Sequence, residues 1–371
     1  MTVLIAPDSF KGTLTANEAC EIIAAAFREA IPQARLDCFP LADGGEGMIA
    51  AWHAALGGTL CHANVSGPYG EAVRAEYLML DDAAAVLELA SCAGLELARP
   101  RGLNPEATST RGLGELLLHA RDAGAKRVIL GLGGSATNDA GCGMACALGW
   151  KFFDGSGDCF CPTGGTLLKI NKIMPSSECF GVPVIAACDV KNPLYGPNGA
   201  AHVYAAQKGA DAAMIKRLDA GLRHVASITP DPSRLIPESC GAGAAGGAGF
   251  GVMKFLGGML RPGADLLLER SGFGDLLARA DLVITGEGRM DAQTLQGKAP
   301  QGVLARAMSS SVPVIGLCGC VQDEQALLDA GFAAVYPAVA GEKPPEELRQ
   351  TCRADLRRAA RRLLGDISRF T

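Results

Sequence analysis

The sequence is poor in several things that would have named a function directly. Aromatic residues make up 5% of the 371, and no basic stripe runs along the chain, whose net charge is −5. That balance argues against a nucleic acid partner. No apolar run is long enough to span a membrane. The opening stretch Met-Thr-Val-Leu-Ile-Ala-Pro-Asp is too short and wrongly flanked for a signal peptide. No C-x-x-C occurs among the fourteen cysteines. The C-x-C pairs Cys159/Cys161 and Cys318/Cys320 have no histidine nearby, so zinc is not indicated. Most cysteines lie in apolar runs and read as small hydrophobes, which points to a reduced, cytoplasmic protein. The five histidines give no signal, since His53, His119, His202 and His224 fall in helical patterns and His62 in a polar strand. No Ser/His/Asp spacing and no G-x-S-x-G elbow is found, which argues against acyl transfer. The Gly-Lys-Ser/Thr of a P-loop is also missing.

What is abundant is glycine, with 48 residues clustered between apolar runs. The densest case is 128–144. Val128–Leu130 reads as the end of a buried strand, and Gly131, Gly133 and Gly134 follow. Next come Ser135, Thr137, Asn138 and Asp139, then a helical run over 143–148. Strand, glycine loop and helix start together make a phosphate cradle, because helix-start N–H groups and the dipole favour an anion. Glycine-rich turns are also common in any doubly wound domain. The same stretch fits the looser dinucleotide pattern G-x-G-x-x-A, with Asp154 about twenty residues on, so NAD stays open. A second glycine-rich loop, 241–251, contains Gly243, Gly246 and Gly247.

Both ends of the chain alternate strand and helix. Strands are expected at 2–6 and 35–39, with a helix between them opened by the capping box Thr15/Glu18 and closed at Pro32. Strands at 281–285, 312–317 and 333–336 alternate with helices near the C-terminus, the last of which, 345–364, carries a solvated arginine face. These pieces predict a flavodoxin-like, doubly wound parallel sheet of order 2-1-3-4-5, in residues 1–58 plus 276–371. Residues 59–275 then form an inserted second α/β domain, which includes a hairpin over 59–65 and 71–80. In such a sheet ligands bind where the strand order reverses. The loops 8–12 and 286–291 meet there.

The candidate chemical residues follow. Asp8, Ser9 and Lys11 follow the first strand, and Lys11 suits a point charge on a phosphate or carboxylate, unless it is an ordinary surface lysine. Arg289 could fork a carboxylate, or pair locally with Glu287 or Asp291. Asp189 closes an apolar strand and could hold Mg²⁺, take a proton from a substrate hydroxyl, or cap the next turn. Asp43 and Glu46 could reach a metal or shape a turn. Two glycine loops, scattered acids and placed cations suit phosphoryl transfer.

With those residues assembled, the sequence resembles the bacterial glycerate kinases of the glycerate 2-kinase type. The matching blocks are APDSFKG (6–12), PLADGGEG (40–47), GLGGSATNDAGCGMACALG (131–149), ACDVKNPLYGPNGA (187–200), QKGA (207–210), GAGAAGGAGFG (241–251), LRPG (260–263) and ITGEGRMDAQTLQGKAP (284–300). The segment 154–180 fits less clearly. The resemblance implies ATP- and Mg²⁺-dependent phosphorylation of D-glycerate to 2-phosphoglycerate, and an active site between a flavodoxin-like domain and an inserted one. On that basis Gly133, Gly134, Ser135, Thr137 and Asn138, with Gly243, Gly246 and Gly247, are expected to hold the nucleotide. Asp8, Ser9, Lys11, Glu287 and Arg289 are expected to hold glycerate. Asp189 and Asp43 are expected at the metal, and Asp189, Lys11, Arg289 and Asp291 in catalysis. The base is Asp189 or Asp291. Association with further copies of the chain is left open. The residues alone leave two rivals: an NAD-dependent hydroxy-acid dehydrogenase and a non-catalytic carboxylate sensor.

Overall fold

The computed structural model describes every residue except 11, 43, 46, 230–235, 340, 342 and 371, and the side chains of 296 and 345 are also not described. Lys11, Asp43 and Glu46 therefore lie outside the described residues. The fold is mixed α/β and divides into two compact units. One comprises 1–43, 50–56 and 262–371, and the other comprises 44–49 and 57–261. Against the limits read from the sequence, 44–49 and 57–58 fall in the second unit and 262–275 in the first. Residues 44–49 join the second unit, where Ile49 N–H donates to Glu88 Oε1 at 2.7 Å. Helices Gly263–Arg270 and Phe273–Leu277 join the first, where Asp265 pairs with Arg306 at 2.8 Å.

The first unit is built on a five-stranded, all-parallel sheet. Across it run Arg35–Cys38, Thr2–Pro7, Leu282–Gly286, Val314–Cys318 and Ala334–Pro337, the order 2-1-3-4-5. Val3, Ile5, Leu282 and Ile284 are fully buried, as strands covered on both faces require. Helix Ala16–Ala30 begins at the expected box: Thr15 Oγ1 accepts the Glu18 N–H at 3.2 Å, and Glu18 Oε2 accepts the Thr15 N–H at 2.9 Å. Those bonds hold the Glu18 carboxyl below its ordinary pKa. Its apolar side, Ile23 and Phe27, packs with Leu356 and Leu363 of the helix Pro345–Gly365 in one core. The arginines of that last helix are exposed but not idle, since Arg353 pairs with Glu18, and Arg357 and Arg361 pair with Glu29.

The second unit holds a six-stranded sheet. Met259–Arg261, Val184–Ala187, Arg127–Gly131 and Ala84–Glu88 run parallel. Ala72–Met79 and Thr59–Ser66 follow as the expected antiparallel hairpin. Its register decides what meets at the carboxyl edge. Arg261 pairs with Ala187, Ala187 with Gly131, and Gly131 with Glu88, so four strand ends lie in one row. A small antiparallel sheet of Lys151–Phe153, Cys159–Phe160 and Lys172–Met174 was not anticipated from the sequence.

Candidate active site

The row at the carboxyl edge of the second sheet positions the glycine loop. After Gly131 the chain passes against residues 44 and 45. Gly133 N–H donates to Gly44 O at 3.1 Å, and a Cβ on Gly133 would sit 2.4 Å from Gly45 Cα. Gly133 is partly exposed, and Gly134 is exposed and in the left-handed region at φ +73. Asp189 stands two residues beyond Ala187 on the neighbouring strand and is half-buried. Glu88 closes the strand on the other side and is 8% exposed. It carries the same signal as Asp189, an acid at the end of an apolar strand, and the sequence reading passed over it.

Deeper in the loop the picture changes. Thr137 and Asn138 have no exposed surface, and Thr137 Oγ1 and both Asn138 amide atoms make no hydrogen bond. Asp139 is also fully buried. It accepts Thr110 N–H and Oγ1–H at 2.8 Å each, Gly141 N–H at 3.1 Å and Gly143 N–H at 3.2 Å. Met144 N–H donates to Thr110 Oγ1 at 2.9 Å. Helix Cys142–Ala147 thus spends its first-turn amides inside the protein. Those amides were the expected phosphate donors. Of the loop 131–140, only Gly133 and Gly134 reach the surface.

The second glycine loop packs directly against the first. A Cβ on Gly246 would lie 2.0 Å from Thr137 O, on Gly247 2.8 Å from Ala140 Cα, and on Gly243 2.2 Å from Pro193 O. These glycines are buried, and the space a side chain would take is filled by backbone. Ala140 and Ala245, one in each loop, both hold left-handed backbone, at φ 56 and 53. Non-glycine residues rarely stay there unless their surroundings over-determine it.

One buried cation enters this loop, and the sequence reading did not single it out. Lys208 is 2% exposed. Its Nζ donates to Ser135 Oγ at 2.8 Å and to Thr137 O at 2.6 Å. Burial lowers its pKa to about 7, against the pull of the nearby Asp139 carboxylate. Burial in turn raises the pKa of Asp139, while its hydrogen bonds from Thr110, Gly141 and Gly143 act the other way.

The first unit carries a second set of groups where its strand order reverses. Asp8 N–H donates to Gly286 O at 2.8 Å, and Leu41 N–H to Pro7 O at 2.9 Å, so the chain ends part to either side of Pro7. Beyond the strand ends lies a cavity of about 520 Å³, lined among others by Ser9, Phe10, Glu287, Arg289, Lys298 and Lys343. Glu287 is nearly buried, with Oε2 3.0 Å from Lys298 Nζ and Oε1 accepting Thr294 Oγ1–H at 2.8 Å. Lys298 was missed from the sequence. Its signal was the helix start Gly297-Lys298-Ala299-Pro300, with Gly297 left-handed and Pro300 in the first turn. Asp8 accepts Ser9 N–H at 2.6 Å. Asp291 shapes a turn, its Oδ1 accepting Gln293 N–H at 2.8 Å. Arg289 is exposed at the rim of the cavity. Two of the five histidines make internal contacts: His119 meets Tyr77 Oη at 3.1 Å, and His224 meets Ile170 O at 2.7 Å.

An open glycine turn beside a strand-end acid in one unit, and a cation-lined cavity at the switch point of the other, describe an α/β enzyme of the kinase kind. The sequence pattern of the glycerate kinase family matches residues 3–368. Glycerate kinase of Bacillus subtilis (strain 168) is 43% identical over 99% of this chain and 98% of its own length. Glycerate 2-kinase of Escherichia coli (strain K12) is 39% identical, again over 99% and 98%. A crystal structure of a Salmonella typhimurium LT2 protein provisionally assigned as glycerate kinase 2 superposes with a TM-score of 0.82. It is 38% identical, covering 99% of this chain and 98% of that one. The chain belongs to the glycerate kinase family, and it is an enzyme of that family.

Proposed function

We propose that the chain transfers the terminal phosphoryl group of ATP to the 2-hydroxyl of D-glycerate. The observation that carries this reading is the carboxyl-edge row of the second unit. In that row the strands leading to the glycine turn 133–134 and to Asp189 are neighbours, ending in register at Gly131 and Ala187. Phosphoryl transfer asks a protein mainly for positioning and charge neutralisation, and those are the parts present. The phosphates lie on the turn 133–135. Thr137, Asn138, Gly243, Gly246 and Gly247 support that turn from behind, a role that suits their burial.

Magnesium fits the donor set, because Mg²⁺ is commonly held by one or two carboxylates together with substrate phosphates. Asp189 is the carboxylate placed to hold it. The ion supplies neutralisation of the charge that develops on the phosphates. Among the described residues no cluster of three acidic, histidine or cysteine ligands forms, so the metal is read as bound with the nucleotide. Asp189 serves the reaction as the ligand of magnesium or as acceptor of the hydroxyl proton, and either role needs its negative charge.

Glycerate binds in the first unit. Its carboxylate meets the cations Arg289 and Lys298, with Ser9 as a further donor, and Glu287 fixes Lys298 in place. Lys11 and Asp43 remain proposals from the sequence alone. We read the enzyme as cytoplasmic, without nucleic acid or membrane partner. Among the described residues no helix is long and apolar enough to cross a membrane.

The test is ADP release in a coupled assay with D-glycerate, beside lactate, tartronate and sugars, followed by NMR of the product. Turnover with D-glycerate giving the 2-phosphate supports the reading. A nicotinamide absorbance change without ADP, or glycerate binding without turnover, refutes it.

A further inference from the structure

The cost of burying Lys208 calls for a purpose. An ammonium with almost no exposure, holding two neutral acceptors and lacking a directly bonded carboxylate among the described ion pairs, is a costly way to brace a loop. An apolar residue of similar size is often as stable at such a place. Of the two groups it holds, Ser135 Oγ belongs to the turn assigned above to the phosphates and Thr137 O to the backbone that supports that turn. They sit in a stretch where Thr137 Oγ1 and the Asn138 amide, both fully enclosed, are also left without hydrogen bonds.

We propose that Lys208 is a positioning residue for the phosphoryl donor, acting through Ser135. A serine hydroxyl has one proton to give and two lone pairs to accept with. Because Lys208 Nζ donates to Ser135 Oγ at 2.8 Å, the hydroxyl proton is released to point away, toward a phosphate oxygen at the turn. The second bond, to Thr137 O at 2.6 Å, ties the backbone just beyond the turn to the same atom. Gly209 makes the approach available. It is left-handed and packs where a Cβ would meet Leu103 O at 2.3 Å, which draws the preceding lysine into the unit. The inference rests on the phosphates lying at 133–135.

The proposal has a signature that bracing alone would not give. The charged group facing Lys208 is Asp139, from the loop between the strand Arg127–Gly131 and the helix Cys142–Ala147. Its ammonium deprotonates around pH 7, so kcat/KM for ATP should fall as the pH rises through that range. A bound polyanion favours the charged form, so the break in kcat should lie at higher pH than the break in kcat/KM.

The experiment is steady-state kinetics of the full chain carrying Lys208→Met and Lys208→Arg. For the Met variant KM for ATP should rise about tenfold or more, the loss of one charge-assisted contact. KM for glycerate should stay within about twofold, since that contact is not made to glycerate. The alkaline fall in kcat/KM should vanish in the Met variant, and the Arg variant should recover part of the ATP affinity. A folded Lys208→Met enzyme with unchanged KM for ATP overturns the proposal. Should that variant not fold, calorimetry on the wild-type protein with a non-hydrolysable ATP analogue at pH 8 decides. In two buffers of different ionisation enthalpy it should reveal proton uptake, and no uptake overturns the proposal. Gly134→Asp separates the two levels. If it raises KM for ATP while Lys208→Met does not, only the role of Lys208 falls. If neither raises it, the phosphate site falls with it.

Discussion

Lys208 also makes a thermodynamic prediction that needs no substrate. Its pKa falls from 10.5 to about 7 on folding, a shift of more than three pH units caused by burial. At about 1.4 kcal/mol per unit, the charged lysine costs the folded state on the order of 4 kcal/mol at pH 7. The sign follows from proton counting. Between about pH 7 and 10 the unfolded chain holds a proton that the folded one does not, so stability from this group rises with pH. By pH 9 the cost has dropped by about 2 kcal/mol. Lys208→Met removes the titration. It also leaves Ser135 Oγ and Thr137 O without their donor, at about 1–3 kcal/mol each. The two effects nearly cancel at pH 7. The stability difference, wild type minus variant, should therefore grow by about 2 kcal/mol in favour of wild type between pH 7 and pH 9. Urea unfolding at both pH values reads this, with Trp150, packed 5.0 Å from Phe255 in the same unit, as reporter. Other titrating groups cancel in the difference. Parallel pH dependence of the two proteins would refute the reasoning.

Three further outcomes are expected. Asp189→Asn should lower kcat at least about a hundredfold while circular dichroism and melting temperature stay unchanged, because the half-buried carboxylate acts by its charge. Lys298→Met should raise KM for glycerate about tenfold and lower the melting temperature, since Glu287, 7% exposed, loses its ammonium partner at 3.0 Å. Gly246→Ala should cost about 2–4 kcal/mol in thermal unfolding, because its Cβ would meet Thr137 O at 2.0 Å with φ at +68. Gly157→Ala, equally left-handed but with nothing within 4 Å, should cost only about 1 kcal/mol.

The first unit was legible because its signals are local. Short, mostly apolar strands, the Thr15–Glu18 box and βα alternation at both ends point to the order 2-1-3-4-5. The small sheet was not legible. Its strands of two or three residues are too short to show alternation. The site was half legible. Strand-end acids stand out in a sequence, and Asp189 was proposed on that signal where Glu88, which carries it too, was passed over. The glycines of 241–251 read as a ligand cradle, but glycine is chosen equally where backbone meets backbone, and 243, 246 and 247 are placed so. Lys208 was hidden because its contacts lie 71 and 73 residues away in the chain, and Gln-Lys-Gly carries no mark of burial.

The central claim is that the nucleotide's phosphates rest on the turn 133–135. A crystal structure with a non-hydrolysable ATP analogue and magnesium measures this directly. The account predicts phosphate oxygens within hydrogen-bond distance of the Gly134 and Ser135 amides and the Ser135 hydroxyl. Phosphates lodged instead in the cavity beside Glu287 and Lys298, with that turn facing solvent, would contradict it.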